Sequence, residues 1–148
     1  MGNLACLWWA PPPRPPRGIL HRVPAVDIVD ETFLVAPPET VAAVFADPAS
    51  WRRYWPDLVL SVYADRGAEG IRWTVRGALV GTMEVWLEPA LDGTLLHYFL
   101  RAEAPDPLTP RQADRERRRR QLAAKRIALG LKSLLEDGRA PGCPPGAP

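Results

Sequence analysis

Cysteine and histidine are nearly missing from this chain of 148 residues, which has two of each. Cys6 and Cys143 stand near opposite ends, so they build neither a disulfide framework nor a metal-binding knuckle. Such usage fits a reducing cytoplasm. Zinc or haem ligation needs more ligands than His97, the one histidine in the body of the chain, so neither a metal nor a cofactor is expected. Long apolar runs are missing too: none approaches the roughly 18 residues that cross a bilayer, and no membrane-spanning helix is expected. The opening MGNLACLWWA has no basic n-region and runs into PPPRPP without a small-residue cleavage site, which argues against a signal peptide. No fixed-period repeat, phosphate loop or nucleophile elbow is present.

Proline and tryptophan are plentiful. Of 18 prolines, six precede Val26 and four follow Arg139, so residues 1–25 and 139–148 read as disordered tails. Residues 26–138 read as one domain. Its composition, within a chain that is 47% hydrophobic with six Trp, suffices for a core. The net charge of +2 hides a division: residues 26–109 carry six arginines against 13 acids, whereas residues 110–148 carry ten bases against four acids. An acidic body with one basic helix argues against a nucleic-acid binder, which would present a broadly basic face.

The patterning gives an α+β order. Residues 26–35 are β-branched and apolar and stop at Pro37-Pro38, a strand followed by a helix start. Residues 39–46 space Val41, Val44 and Phe45 as a helix stripe. Asp47-Pro48 opens a second short helix to Tyr54 as N-cap and N1, with Trp51 and Trp55 on one side. From Leu58 the period becomes two, and residues 58–65, 70–76, 79–88 and 94–103 form four extended runs with short links, hence antiparallel neighbours. Trp73, Met83 and Val85 fall on the apolar parity of their strands, and Trp86 falls on the polar one. The last run, TLLHYFLRAE, is apolar on both parities, so either His97 or Tyr98 faces inward. A long helix then runs from Thr109 as N-cap to Gly138 as the C′ residue. Its stripe of Ala123, Ile127, Gly130, Leu131 and Leu134 occupies the second half only and should pack on the sheet. Residues 111–120 hold six arginines and should project into water.

Three motifs carry a family resemblance. Phe33-Leu34-Val35-Ala36-Pro37-Pro38-Glu39-Thr40-Val41 ends a strand in an Ala-Pro turn before a helix. Ala46-Asp47-Pro48-Ala49-Ser50-Trp51-Arg52-Arg53-Tyr54-Trp55-Pro56 forms an Asp-Pro helix closed by Trp and Pro. Leu91-Asp92-Gly93-Thr94 leads into a strand, and the final helix ends Leu131-Lys132-Ser133-Leu134-Leu135-Glu136. Over residues 26–138 this order resembles the START-like or SRPBCC superfamily, within it the polyketide cyclase/dehydrase and lipid-transport group. The resemblance implies a helix-grip fold, a curved antiparallel sheet of about five to six strands wrapped around the long C-terminal helix, with a cavity between them. Members bind lipids, sterols, polyketides or plant hormones, and some close aromatic rings. Two features depart from the family: a count of five strands where many members have six or seven, which implies a smaller cavity, and the arginine-rich half of the helix.

The leading expectation is therefore a binding module for a small hydrophobic or aromatic ligand, lipid or polyketide-like. Its cavity would draw on Trp51, Trp55, Trp73, Met83, Val85, His97, Tyr98, Ile127, Gly130 and Leu131. Gly130 costs a helix about 1 kcal/mol relative to Ala, so it marks either a close helix-sheet contact or room for a ligand. The first alternative is a polyketide cyclase or dehydrase, in which the pocket folds a reactive chain and a few polar groups move protons; no catalytic signature identifies those groups. The second is a macromolecular interaction module acting through residues 111–120. That segment has no stripe with which to grip the sheet. It therefore frays, or an acidic surface holds it, on the same chain or on a second copy in a homodimer.

Overall fold

The computed structural model describes residues 24–143. The expected N-terminal tail up to residue 23, and residues 144–148 of the C-terminal one, lie outside the described residues. Strand β1 (Val26–Leu34) leads to helices α1 (Pro38–Ala46) and α2 (Pro48–Tyr54). Strands β2 (Leu58–Asp65), β3 (Gly70–Gly77), β4 (Val80–Ala90) and β5 (Gly93–Glu103) follow, then helix α3 (Pro110–Leu135). The strands form one antiparallel sheet in the order β1-β5-β4-β3-β2. The helix starts lie where the cap residues put them. Asp47 accepts from the Ala49 amide at 2.9 Å, and Thr109 and Gln112 exchange the two bonds of a capping box. The far end of α3 differs: Glu136 is its C-cap, and both Asp137 and Gly138 take positive φ. The helix thus closes before Gly138, with Asp137 in the left-handed position that glycine was expected to fill.

Register assigns the two faces. Leu96, Tyr98, Leu100 and Ala102 of β5 lie level with Leu87, Val85, Met83 and Gly81 of β4, and Val85 and Met83 lie level with Ile71 and Trp73 of β3. The side chains of this set, with Val26, Ile28 and Leu34, form the buried core under the helices. The other face carries Val29, Glu31, Trp86, His97, Phe99 and Arg101. His97 and Tyr98 are equally buried, and it is the register that puts Tyr98 on the core face and His97 on the other.

Helix α3 packs chiefly against the edge strand β1. Its buried positions are Arg120, Ala124, Ala128 and Leu131, a row at successive turns. This corrects the expected stripe by a rotation of about one residue: Ala123 and Ile127 are half-buried, and Gly130 and Leu134 are exposed. The small Ala124 and Ala128 let the helix approach β1 closely, and polar ties fix it there. Lys125 reaches Asp30 at 2.8 Å, Lys132 donates to the Phe33 carbonyl at 2.9 Å, and Glu136 accepts from the Val35 amide at 3.0 Å. Past the helix, Arg139 and the Gly142 amide donate to Asp92 at 3.0 and 2.7 Å. The first residues of the expected C-terminal tail are thus tied to the β4–β5 turn.

Candidate functional groove

The space between sheet and helix is filled. Trp73, Met83, Val85 and Leu131, four of the expected cavity residues, are core side chains with at most 1% of their surface exposed. Trp51 packs edge-on to Trp73 at 5.7 Å and donates its Nε1–H to the Phe45 carbonyl at 2.6 Å. Trp55 lies parallel to Tyr98, with centroids 6.1 Å apart. Tyr98 donates to Met83 Sδ at 3.2 Å, and burial pushes its phenol up, so the ring stays neutral. Among the described residues a void of about 10 Å³ lies here, bordered by Asp30, Phe45, Trp55, Tyr98, Ala124 and Ile127 among others. That scarcely admits one water. Five strands and four large aromatic rings close the cavity that the resemblance implied.

An open groove of about 870 Å³ lies outside this core instead. One wall is the end of α2 and the turn after it, with Arg53, Tyr54, Trp55, Pro56 and Asp57; the other is α3 from Arg119 to Leu134. Trp55 and Ile127 border both the groove and the inner void, so these two side chains are the partition between them. Gly130 lines the groove, and a Cβ built there would meet nothing within 4 Å. The close-contact explanation of this glycine is thereby overturned; it leaves room.

Backbone and charge together hold the groove open. Trp55 caps α2, donating its amide to the Trp51 carbonyl at 2.8 Å, and its own carbonyl accepts from Leu58 at 3.1 Å. Asp57 follows in this turn. Its carbonyl accepts from Ala78 at 3.0 Å, beside Gly77, whose φ of 106° suits glycine. Its carboxylate accepts from Arg120 at 2.9 and 2.7 Å, a bidentate pair, and from Arg119 at 3.0 Å. Partial burial pushes the Asp57 carboxyl up, but the hydrogen bonds and charges of Arg120 and Arg119 outweigh it and hold its pKa at about 2. Glu116 closes the cluster, held below the usual carboxylate range by its bond from Arg119 and then Arg120, against its burial. The same two carboxylates, Glu116 first, push the Arg119 guanidinium up.

This network corrects the expectation that residues 111–120 simply project into water. Arg120 is only 5% exposed and occupies the first position of the buried row, where a carboxylate on another element replaces apolar contact. The acidic surface that holds the segment belongs to the same chain.

His97 is the other correction. It points away from the groove, on the opposite face of the sheet, stacked on Trp86 with centroids 4.3 Å apart. Nδ1 lies 3.0 Å from Glu31 and Nε2 3.1 Å from Glu88. Both contacts are hydrogen bonds only when both ring nitrogens carry protons. Among the described residues no cluster of three or more His, Cys, Asp or Glu is arranged to hold a metal, and no helix is long and apolar enough to cross a membrane.

A five-stranded antiparallel sheet closed by a 26-residue terminal helix, with two short helices after its first strand, is a START-like helix-grip fold. Solved structures carry the likeness. A START superfamily protein from Mycobacterium smegmatis superposes with a TM-score of 0.60 at 13% identity, covering 75% of this chain and 97% of that one. The Aha1 dimer from Colwellia psychrerythraea gives 0.54 at 16% identity, over 78% of this chain and 99% of that one. The di-domain ARO/CYC StfQ of the steffimycin biosynthetic pathway gives 0.55 at 16%, covering 77% of this chain and 51% of that one. No protein-family model and no curated protein matches the sequence, so the likeness rests on fold.

Proposed function

We propose that this chain binds a small hydrophobic or aromatic molecule in the groove between α2 and α3, against Ile127 and Gly130 and over the edge of Trp55, which is 3% exposed and backs the groove from the core. The observation that carries the reading is the groove itself: its volume is that of ordinary small-molecule sites, it is walled by Tyr54, Trp55 and Ile127, and Gly130 clears space on the helix. The START-like fold supports the same reading. The reading departs from the expected site in one respect: the ligand lies over the partition and not beneath it. It keeps Trp55, Ile127 and Gly130 and assigns Trp51, Trp73, Met83, Val85, Tyr98 and Leu131 to the support behind it. The cytoplasmic setting expected from the isolated cysteines belongs to the same reading.

Cyclase chemistry, favoured by the likeness to StfQ, would need a proton donor or acceptor poised near neutral pH. Asp57, the groove's carboxylate, is held ionised far below that range, which favours binding over catalysis. Native mass spectrometry of the protein as purified from its own cells tests the proposal. A retained small molecule, lost on Gly130→Phe, which fills the groove at a position where a side chain meets nothing in the fold, supports it; an unliganded protein that takes up no apolar compound from the cell extract contradicts it.

A further inference from the structure

The groove's charges say more about its ligand than its apolar floor does. Four arginines line it, Arg53, Arg119, Arg120 and Arg126, against the single carboxylate of Asp57. Arg119 and Arg120 are satisfied by Asp57 and Glu116. Among the described residues no carboxylate lies within 4.0 Å of Arg53 or Arg126. Arg53 rests over the ring of Tyr54, 5.0 Å from its centroid, with Nη2 3.3 Å from the phenol oxygen. Arg126 stands on the opposite wall, one turn before Gly130 and one after Leu122. Arg53 is one of only six arginines among the 13 acids of residues 26–109, and it meets Arg119, Arg120 and Arg126 of the basic segment 110–148 across the groove. Arg53 and Arg126 are both exposed, so a neutral apolar ligand would leave their guanidinium groups in water and gain nothing from them. An anion in the groove would be attracted by the cations of both walls, and the concave low-dielectric surface concentrates the field on it.

We infer that the ligand is a small amphipathic anion, an aromatic or alkyl body on Trp55 and Ile127 with one carboxylate, sulfonate or phosphate group between Arg53 and Arg126. This rests on the groove-binding proposal above. The concave shape and volume fit a single molecule and not a bilayer surface, which would need a protruding apolar face.

The test uses two dyes that share one aromatic frame. 8-Anilinonaphthalene-1-sulfonate carries the anion, and N-phenyl-1-naphthylamine lacks it. Fluorescence titration of the full chain should show the sulfonate binding about fivefold tighter at low salt, as expected for an exposed ion pair. The two affinities should converge in the Arg53→Gln, Arg126→Gln double variant, with near-ultraviolet circular dichroism unchanged to show that the fold is kept. Equal affinities in the unaltered chain, or a preference that survives the double substitution, overturn the inference and leave groove binding standing. Failure of both dyes to bind overturns groove binding itself. Sedimentation with phosphatidylglycerol vesicles but not with phosphatidylcholine vesicles, uncompeted by the sulfonate dye, would assign the arginines to a membrane surface and also overturn the inference.

Discussion

Asp57 bears more of the structure than a residue in a turn usually does, because Arg120 is almost wholly buried and Asp57 is its bidentate partner. Replacing it with Asn keeps the shape and removes the charge. Asp57→Asn should lower unfolding stability by about 1.5–3 kcal/mol, the range for hydrogen bonds to charged groups, measured by urea titration at neutral pH. The pH dependence has a definite sign. A carboxyl whose folded pKa is about 2, below the ordinary 3.8, adds stability that is fully present above about pH 4 and is lost as pH falls toward 2. The gap between the unaltered chain and Asp57→Asn should therefore narrow across that window. A constant gap from pH 5 to pH 2 would show that the carboxylate is not the source. Trp73 makes a different point. It is fully buried, and its indole Nε1 has no hydrogen-bond partner. Trp73→Ala should cost about 3–5 kcal/mol, as for filled cores. Trp73→Phe should cost much less, because it also removes an unsatisfied donor. A small loss in Trp73→Ala would indicate a ring that borders open space.

At the scale of elements, α3 shows what periodicity reveals and what it hides. Its start at Thr109, its length and the packing of its second half follow from capping and spacing. The buried face was displaced by about one residue because hydrophobicity favours Ile127 and Leu134, whereas the edge of β1 favours the close approach that Ala124 and Ala128 permit. The role of Arg120 could not be read from a run of arginines: its partner Asp57 is 63 positions away, and nothing local marks one arginine of the run for burial. Asp47, Thr109 and the Gly-containing turns were legible because their physics is local. The attachment at Arg120 predicts a pattern of amide exchange. Protection should extend from Leu131 back to about residue 119, while residues 112–115 exchange faster. In Asp57→Asn it should retreat toward Ala124. Fast exchange through residue 121 in the unaltered chain would show a frayed end and no anchor.

For the whole molecule, the order of elements and the helix-grip arrangement were readable, since short links force antiparallel neighbours and the three motifs mark the turns between them. The candidate site was readable only in part. Trp55, Ile127 and Gly130 were recognised as candidates, but the groove is made by the meeting of α2 and α3, and Arg53 and Arg126 join it from elements that a sequence keeps apart. The face of His97 stays open in the sequence because β5 is apolar on both parities; in the fold two carboxylates and the Trp86 ring bury it on the far side. We also propose that residues 24–143 are a self-sufficient unit, extended past Gly138 by the ties of Arg139 and Gly142 to Asp92. A chain of those residues should match the full chain in stability to within about 1 kcal/mol, a small part of a typical domain's total. Cutting instead at residue 138 should cost measurable stability in the same urea titration.

The central claim is that the ligand lies in the groove over Trp55 and not inside the sheet. A titration with N-phenyl-1-naphthylamine followed by ¹H–¹⁵N correlation spectra tests it most directly. The account predicts that the Trp55 indole and the amides of Ile127 and Gly130 shift together and saturably, while the Trp73 indole and the Met83 amide stay nearly still. The largest shifts at Trp73 and Met83 would place the ligand in the core, and the largest at His97 and Trp86 would place it on the opposite face; either result would contradict the claim.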